Sequence, residues 1–464
     1  MRTRSGHVSI TGMGAVTPIG IGVPAFTRAL REGRSGIRLL PADMPGWDRI
    51  RSSVAAMCVD FDPASVMSQA DQRRLPRLVP MALAAARQAA AHAGLLDRTS
   101  PESLVDADIA RRVGLVLGTG AGGIDFTLDQ ASIVYRSPED NESARRQPSL
   151  WTITNATHGN LAGELSIRLG LRGPSLCIST GCASSSDAIG MAMDLLRSDR
   201  PGTPDAMVVV GADAHVRWET LLGMELLRVI STRDFRAAPD EAPTASRPFD
   251  RTRDGFVLGE GAWALVLERE AFASRRGAPS PLGRLLGYGC TCDAFHRVRP
   301  APDMEESARA MRLALQDAGL EPEDIDLLHY HGTATALNDA LETQAVKMAF
   351  GEHAPKLRGH SVKGAIGHPQ GACGAAALVA TLGAMTNQDG DPRGPFALST
   401  VNLREQDIEG GCDLDYTPHG ETDRSRGLHP AGRGHRARLT AMINCLAFGA
   451  KNSTLVVGTF PREH

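Results

Sequence analysis

The chain has few aromatic residues, no long apolar run and no strong net charge, and each shortage excludes a class of function. Aromatic residues make up 4% of the 464 residues, which argues against stacking platforms for nucleic-acid bases. The 50 basic and 53 acidic residues nearly cancel, so nothing points to a nucleic acid or a membrane surface. No apolar run reaches the ~18 residues of a membrane span. We therefore expect no nucleic-acid partner and no membrane association.

The N-terminal segment and the cysteines indicate the compartment. The segment MRTRSGHVSITGMGAVTPIG lacks the apolar stretch of a signal peptide, so a cytoplasmic protein is expected. The eight cysteines are scattered without a CxxC pair, and the close pair Cys290 and Cys292 has no second ligand pair nearby. In a reducing compartment we expect free thiols, most of them small core residues. No metal is predicted.

Strand and helix patterns alternate twice along the chain. In the first half, apolar strands are predicted at 112–118, 175–179 and 206–211, the last a continuous apolar run typical of a sheet buried on both faces. From Pro281 the alternation begins again with elements of similar length. The repetition predicts an internally duplicated α/β architecture. We divide it into an N-terminal half, residues 1–268, and a C-terminal half, residues 269–464.

A cysteine lies at the junction of a strand and a helix in the run LCISTGCASSSDAIG. The strand over 175–179 is predicted to be buried, Gly181 permits a sharp turn, and a helix begins just after Cys182. A helix N-terminus lowers a thiol pKa, and the backbone N–H beside the sulfur can face an oxyanion. An inert buried thiol is the commonest alternative for a free cysteine. Both interpretations of Cys182 stay open at this point.

Two histidines lie in glycine-rich turns that follow predicted strands. His331 begins HGTATALND, where threonine hydroxyls can hold a small acid or anion, and His368 lies in VKGAIGHPQGACG. A lone histidine is usually structural, but two in such similar settings favour a shared role in acid–base chemistry. His329 and His331 lack a neighbouring carboxylate and form a weak metal-ligand set. With Cys182, the pattern favours an acyl-transferring enzyme that needs no cofactor.

Together, these motifs resemble the β-ketoacyl-acyl-carrier-protein synthases of the elongating class, which include the ketosynthase subunits of type II polyketide synthases. The resemblance extends from GMGAVTPIG, through GLRGPSLCISTGCASSSDAIG and RPFDRTRDGFVLGEGAWALVLE, to the histidine motifs and NCLAFGAKNS. It implies the thiolase fold, a duplicated five-layered α/β/α/β/α architecture, and a dimer. It also implies decarboxylative Claisen condensation of an acyl-Cys enzyme with malonyl-acyl carrier protein. The pathway would be fatty-acid or, as we favour, type II polyketide or other secondary-metabolite elongation.

The same resemblance implies roles for individual residues. Cys182 would carry the acyl chain, while His331 and His368 would promote decarboxylation of the malonyl extender and stabilise the enolate. Phe448 would be a gate, and its backbone N–H would complete the oxyanion hole with that of Cys182. The implied supporting residues are Lys363 beside His368, Thr333 and Thr335 near the malonyl group, and Asp339 and Glu342 in a polar network. No cofactor is implied, since the phosphopantetheine arm belongs to a separate carrier protein.

Two features depart from the family pattern. The closing loop, commonly GFGG, is Ala447-Phe448-Gly449-Ala450 here and is followed by Lys451. Alanine restricts positive φ, so a stiffer or differently shaped gate is expected. In addition, Ala377 stands where a glutamate often follows the second histidine. Both changes favour a specialised secondary-metabolic synthase.

Carrier proteins of this family are acidic, so a basic docking patch is expected near the mouth of the pocket. We favour the arginines of MSQADQRRLPRL, which are Arg73, Arg74 and Arg77. The other candidate is the loop that bears Arg424, Arg426, Arg433, Arg436 and Arg438.

Two other functions stay open. A non-catalytic partner, like a chain-length factor, would share the fold and lack the nucleophile. A cysteine acyl-thioester hydrolase would need one cysteine–histidine pair and an orienting group, which leaves the second histidine motif unexplained. The sequence also leaves open a homodimer or a heterodimer with a homologous chain-length-factor-like subunit.

Overall fold

The computed structural model describes residues 7–96, 105–135, 147–418, 420 and 438–460. Its strands are β1 Val8–Thr17, β2 Gly20–Ile21, β3 Ile37–Leu39, β4 Val54–Ala56, β5 Val113–Gly118, β6 Ser175–Ile178, β7 Ala206–Asp213, β8 Gly261–Arg269, β9 Gly283–Cys292, β10 Leu327–His329, β11 Arg358–His360, β12 Thr440–Ala447 and β13 Lys451–Gly458. Its α-helices are α1 Val23–Arg31, α2 Gln69–Gln72, α3 Leu78–His92, α4 Ala107–Ala110, α5 Ile124–Tyr135, α6 Thr152–Ala156, α7 His158–Leu169, α8 Ser184–Leu196, α9 Trp218–Leu226, α10 Glu270–Arg275, α11 Glu305–Ala318, α12 Ala336–Phe350, α13 Lys363–Ile366 and α14 Cys373–Met385.

The strands follow the same spatial order twice. The first set is ordered β6-β5-β7-β8-β1 and the second β11-β10-β12-β13-β9. From the outer edge inward, each set has two parallel pairs and then two antiparallel pairs. β1 also pairs with β9 through residues 8–10, which joins both sets and β2 into one 11-stranded sheet. The predicted duplication is therefore confirmed in strand order and direction, while the division after residue 268 stays a prediction.

Helices form three layers around the two strand sets. α3 and α7 share an apolar core with the outer face of the first set, and α11 and α12 share another with the second. α8 and α14 lie between the sets and contact each other and strands of both. All 13 residues of α14, Ala377 included, are buried, as expected for a helix that is apolar all round. The order of layers is the five-layered α/β/α/β/α arrangement of the thiolase fold.

The two outer edges of the sheet differ. The strand predicted at 175–179 is not buried as expected, because β6 is an edge strand whose Ser175 and Leu176 are exposed. The opposite edge, β11, is covered, since the Gly359 N–H donates to the Asp415 carbonyl at 3.0 Å. Apolar composition cannot distinguish a strand covered by its own chain from one left open at an edge.

The helices and the cysteines can be compared with the sequence predictions. None of the described helices combines the length and the apolarity that a bilayer crossing requires. All eight cysteines are free thiols, and Cys290 and Cys292 are exposed on β9. Most of the others are buried, as the sequence predicted for small core residues.

Candidate active site

The site forms where turns from both halves meet. Cys182 lies between β6 and α8, His331 follows β10, and His368 lies between α13 and α14. The cysteine sulfur and one nitrogen of each histidine all lie within 4.8 Å of one another, and all three residues are buried. The structure thus brings together the three residues that the sequence singled out.

A tight turn positions Cys182. Gly181 has φ +64, which favours glycine, and a Cβ there would lie 3.2 Å from the Phe448 carbonyl oxygen and crowd it. The Ser184 hydroxyl donates to the Gly181 carbonyl at 2.6 Å and fixes the start of α8. The Phe448 backbone N–H faces the Cys182 sulfur closely enough to lower the thiol pKa. The two backbone segments implied for the oxyanion hole therefore lie side by side.

The thiol pKa differs from the expectation based on the helix N-terminus. Burial raises the pKa of Cys182 to about 12, and the Lys363 ammonium and the Phe448 N–H lower it only in part. The predicted lowering is wrong for the resting site because the thiolate loses its water, and the helix end does not compensate for that loss. Cys182 therefore rests as a thiol.

The hydrogen bonds of the two histidines define their tautomers. His368 Nδ1 accepts from the Gln370 backbone N–H at 3.0 Å, and His331 Nδ1 lies 3.5 Å from Lys363 Nζ, which also donates to the His331 carbonyl. Burial, followed by the charge of Lys363, lowers the pKa of both imidazoles well below 6.5. Each ring is therefore neutral with its hydrogen on Nε2. The site presents two neutral N–H donors.

The same hydrogen bonds bear on metal binding by Cys182, His331 and His368. A metal-bound histidine donates its other ring N–H to an acceptor. Here both Nδ1 atoms face donors, and one of these donors is a lysine ammonium. The trio is close enough to surround an ion, but its surroundings suit neutral hydrogen-bond donation instead.

Two carboxylates of α12, one in its first turn and one near its middle, hold the His331 turn. Glu342 accepts the backbone N–H groups of His331 at 2.6 Å and Gly332 at 2.8 Å, and Asp339 accepts that of Thr333 at 2.9 Å. Burial raises the pKa of Glu342 to about 7 and also raises the pKa of Asp339. The predicted polar network therefore consists of buried acids that bind backbone, behind the reacting groups.

A cavity of about 420 Å³ leads to the three central residues. Thr333 and Thr335 line it, with their hydroxyl oxygens 2.9 Å apart. Thr335 also caps α12 by accepting the Asn338 N–H at 3.3 Å. Both threonines therefore lie on a fixed turn beside His331, on the path of any substrate that reaches the sulfur.

Phe448 lines the same cavity from the turn between β12 and β13. Gly449 donates its N–H to the Arg297 carbonyl at 2.8 Å, and Ala450 accepts the Asp293 N–H at 2.8 Å. Gly449 has φ +83 and Ala450 has φ +61. The alanine thus adopts the left-handed conformation that its side chain disfavours, which strains the turn.

Gln370 is a site residue that the sequence analysis did not single out. Its Oε1 lies 3.8 Å from the Cys182 sulfur, and its backbone N–H fixes the His368 tautomer. Its Nε2 is buried and has no hydrogen-bond partner among the residues that the structure describes. It has φ +45, a conformation that is rare for a residue with a side chain. The position of Gln370 two residues after His368 could have indicated a role at the site. Its contact with Cys182 could not be predicted from the sequence.

Asp213 was also missed, and it joins the loops of the two halves. This buried carboxylate accepts the Thr119 hydroxyl at 2.7 Å and the N–H groups of Gly120 at 2.9 Å and Gly371 at 2.7 Å. An acidic residue that ends the apolar run AMVVVGAD was a signal for such a role. The segment RPFDRTRDGFVLGEGAWALVLE positions His368 by two backbone hydrogen bonds. The His368 N–H donates to the Val257 carbonyl, and the Gly259 N–H donates to the His368 carbonyl.

The arginines predicted for docking have unequal environments. Arg73 and Arg74 are exposed. Arg77 binds the buried Glu260 carboxylate at 2.7 Å and the Cys58 carbonyl at 3.2 Å, so its charge is not free for a partner. Of the alternative loop, Arg424, Arg426, Arg433 and Arg436 lie outside the described residues, and Arg438 has an interaction within the chain.

Comparison with known proteins identifies the family. The β-ketoacyl synthase N-terminal domain matches residues 5–273, and the C-terminal domain matches residues 282–393. The chain is 35% identical over 450 residues to 3-oxoacyl-[acyl-carrier-protein] synthase 2 of Synechocystis sp., covering 97% of each chain.

Two solved structures are similar over nearly their whole length. The ishigamide ketosynthase/chain length factor has a TM-score of 0.79 and 30% identity, covering 98% of this chain and 99% of that one. A type II polyketide synthase ketosynthase in complex with its acyl-carrier protein, bound to the hexaketide, has a TM-score of 0.79 and 25% identity, covering 97% and 99%. The chain therefore belongs to the β-ketoacyl synthase family, whose members are ketosynthase acyltransferases of the thiolase fold.

Proposed function

We propose that this chain is a catalytic β-ketoacyl-[acyl-carrier-protein] synthase that joins an acyl group on Cys182 to a malonyl unit on acyl carrier protein. One observation carries the proposal. Two neutral histidines direct Nε2–H donors toward the cavity that ends at a buried cysteine sulfur. Such a donor pair stabilises the oxyanion of an enolate without first giving up a proton.

The first half-reaction loads the enzyme. Cys182 sulfur attacks the carbonyl carbon of an acyl thioester, and the backbone N–H groups of Cys182 and Phe448 hold the oxygen as it becomes negative. The C–S bond to the carrier arm then breaks, and the carrier thiol leaves with the proton that Cys182 releases. The product is an acyl-Cys182 thioester, so the mechanism is ping-pong.

The second half-reaction makes the carbanion. The malonyl thioester oxygen accepts hydrogen bonds from His331 and His368, and the C–C bond to the carboxylate breaks to release CO₂. The resulting enolate attacks the acyl-Cys182 carbonyl, and the C–S bond to Cys182 breaks as the β-ketoacyl product forms. The sulfur leaves as a thiolate and takes up one proton from solvent, which restores the resting thiol. Lys363 favours this chemistry because its charge helps to keep both imidazoles neutral. No step calls for a cofactor.

The alternatives fit the site less well. A non-catalytic partner subunit has no use for an intact cysteine with two donor histidines. A hydrolase needs a histidine base whose Nδ1–H is oriented by a carboxylate or amide acceptor. In this chain the partners at both Nδ1 atoms are donors, so each Nδ1 accepts a hydrogen bond where a hydrolase histidine would donate one.

Type II polyketide or other secondary-metabolite elongation is the pathway we propose. It is supported by the two structural neighbours and by the departures at Ala450, Lys451 and Ala377. Fatty-acid elongation is the alternative, which the name of the Synechocystis relative supports. The chain length of the product formed with a purified carrier protein separates the two pathways.

For the assembly, we propose that a second ketosynthase-like chain pairs along β6. The strand leaves Leu176 exposed at a sheet edge, and the neighbouring α7 exposes Ile167 at 74%. Open apolar edge strands are templates for pairing with another chain. We place the enzyme in the cytoplasm with acyl carrier protein as its partner. Light scattering of the chain, alone and with a co-expressed homologue that lacks the cysteine, distinguishes a homodimer from a heterodimer.

Mass spectrometry after incubation with acyl and malonyl carrier proteins tests the function. We expect an acyl adduct on Cys182 and a β-ketoacyl product. An unmodified chain under every condition, including with the homologue present, would support the non-catalytic alternative. Release of free acid without a condensed product would support the hydrolase.

A further inference from the structure

Lysine is rare in this chain, and two of its lysines lie at the active site. Among the 50 Lys and Arg residues, only Lys347, Lys356, Lys363 and Lys451 are lysines. Lys347 pairs with Asp413 at 2.5 Å on the surface, and Lys356 is exposed. Lys363 supports His331 and thus belongs to the machinery already described. Lys451 has no role in that machinery.

Lys451 lies at the start of β13, beside the turn that carries Phe448. It lines the cavity that leads to Cys182, and it is half-buried. Its Nζ folds back toward the turn, 3.6 Å from the position that a Cβ on Gly449 would occupy. Within the described ranges Lys451 forms no ion pair. A partly desolvated ammonium therefore borders the substrate path without a counter-ion among the described residues.

The two acids of the cavity wall do not supply that counter-ion. Asp293 accepts the Asn452 side-chain amide at 2.6 Å and the Ala301 N–H at 3.0 Å. Asp254 accepts the Ser231 hydroxyl at 3.1 Å and lies 3.7 Å from the Arg233 guanidinium. Both carboxylates are therefore engaged by other groups.

The other cations of the cavity wall are more exposed than Lys451. Arg228 and Arg299 line the same cavity, and both side chains are exposed. In the part of the chain that the structure describes, neither guanidinium forms an ion pair. The partners of Asp293 are neutral, so its charge offsets one of these three cations. With His331 and His368 neutral, the wall still carries a net positive charge, and Lys451 is its most sheltered source.

The carboxylate that leaves as CO₂ does not suit this cation. Decarboxylation disperses the negative charge of that group, so an ammonium beside it would stabilise the reactant more than the transition state. An anion that remains charged throughout the reaction fits the position better. Within the proposed function, such an anion is a carboxylate kept in the acyl chain or the phosphate of the carrier arm.

We propose that Lys451 is a recognition site for an oxyanion of the substrate, and hence a specificity-determining residue of this synthase. The proposal rests on the proposed function for the identity of the substrate, but the site itself is testable by binding alone. A hydrogen bond from a charged donor to a charged acceptor is a strong one, and its loss weakens binding about ten- to a hundredfold.

Calorimetry with unreactive amide analogues provides the test. The probes are a hexanoyl amide of cysteamine, which is neutral, an adipoyl amide of cysteamine, which adds a carboxylate, and the hexanoyl amide of phosphopantetheine, which adds a phosphate. The proteins are the full chain, Lys451→Met, Lys451→Arg and, as a matched control, Lys356→Met. We expect Lys451→Met to weaken binding of at least one anionic probe about ten- to a hundredfold while the neutral probe changes less than about twofold.

The pattern across the probes identifies the source of the anion. A loss confined to the adipoyl probe assigns the site to an acyl carboxylate, and a loss confined to the phosphopantetheine probe assigns it to the carrier arm. Lys451→Arg should retain most of the affinity, and Lys356→Met all of it. Equal effects on all three probes, no effect, or no preference of the full chain for an anionic probe would overturn the proposal. None of these readouts depends on turnover, so failure of the synthase function is recognised separately by mass spectrometry.

Discussion

The two halves of the molecule build corresponding turns and place different chemistry in them. After β6, the short turn Gly181–Ala183 leads into α8, and after β11 and α13 the turn Gln370–Ala372 leads into α14. The first residue of each turn has a positive φ, 64° for Gly181 and 45° for Gln370. The next position is Cys182, the proposed nucleophile, in the first half and a glycine, Gly371, that binds Asp213 in the second.

This difference teaches how a duplicated fold acquires a two-step reaction. The first half supplies a sulfur at a helix start, and the second half supplies two histidine donors and the lysine beside them. The attacking sulfur comes from the first half and the proposed donors for decarboxylation come from the second, which also supplies the Phe448 N–H to the proposed oxyanion hole. Because the sulfur and the histidines are different groups, the two steps should be separable by substitution. The predictions below test that division, beginning with the largest expected effect.

Substitution of the nucleophile should remove one step and leave the other. We expect Cys182→Ala to abolish formation of the acyl adduct and of the condensed product, while CO₂ release from malonyl carrier protein persists. Intact-protein mass spectrometry and CO₂ trapping measure the two steps. Cys290→Ser and Cys292→Ser are the controls, since both thiols are exposed on β9 and should leave both steps unchanged. Near-normal condensation by Cys182→Ala would refute the assignment.

The histidines should show the opposite pattern. We expect His331→Ala and His368→Ala each to accept an acyl group on Cys182 but to lower decarboxylation and condensation on the order of 10²–10³-fold, the usual effect of losing one oxyanion donor. Single-turnover assays of acylation and of CO₂ release measure this separately. A variant that blocks acylation while decarboxylation continues would reverse the assigned roles.

The pH dependence of the two halves should differ as well. Burial raises the pKa of Cys182 to about 12, so alkylation by iodoacetamide should rise about tenfold per pH unit from pH ~7 to ~10 without a plateau. Burial lowers the pKa of both histidines, so CO₂ release by Cys182→Ala should stay constant as the pH falls through ~6.5. A plateau of alkylation near neutral pH would contradict the raised pKa of the Cys182 thiol. Loss of CO₂ release below pH ~6.5 would contradict the lowered pKa of the two histidines.

The corresponding turn positions should differ in their tolerance of a side chain. We expect Gly181→Ala to destabilise the fold by about 1–2 kcal/mol, because alanine in the left-handed region is strained and its Cβ would crowd the Phe448 carbonyl. Gln370→Gly relieves such strain and should change stability by less than about 1 kcal/mol. Denaturant unfolding measures both. Equal destabilisation by the two changes would show that the turns are not built alike.

The smallest effect is expected at the proposed docking surface on the first half. The double charge reversal Arg73→Glu/Arg74→Glu should raise the KM for carrier-bound substrate severalfold, more at low salt, because surface charges steer association and salt screens them. A small acyl-thioester mimic should react unchanged. The matched control is Arg309→Glu/Arg312→Glu, on the exposed face of α11 in the second half. Equal KM changes for both pairs, or none, would exclude Arg73 and Arg74 from docking.

Much of the fold could be predicted from local sequence. The apolar run at 206–211 predicted β7, and the structure begins the strand at the predicted residue and extends it by two. The exposure of β6 could not be predicted, because it depends on what lies beyond the sheet edge. The helix α9 was also missed, and its apolar residues do not share one environment, since Leu221 is buried and Leu226 is 77% exposed.

In the candidate site, too, local features were predictable from the sequence and features set by distant parts of the chain were not. Cys182, His331 and His368 were recognisable because each stands in a glycine-rich turn within a specific motif. The raised pKa of the Cys182 thiol was not recognisable from the sequence, because it arises from burial of the thiol by both halves together. Gln370 touches Cys182 across 188 positions of the chain, a contact that no local pattern specifies. Its left-handed backbone is likewise set by the surrounding structure.

Intact-protein mass spectrometry of the double variant His331→Ala/His368→Ala, combined with CO₂ trapping, decides whether the halves divide the reaction. We predict that this variant forms the acyl adduct on Cys182 as the unmodified chain does. We also predict that it releases no CO₂ above background when malonyl carrier protein is added. A double variant that fails to acylate, or one that still decarboxylates at the normal rate, would contradict the division of the two steps between the halves.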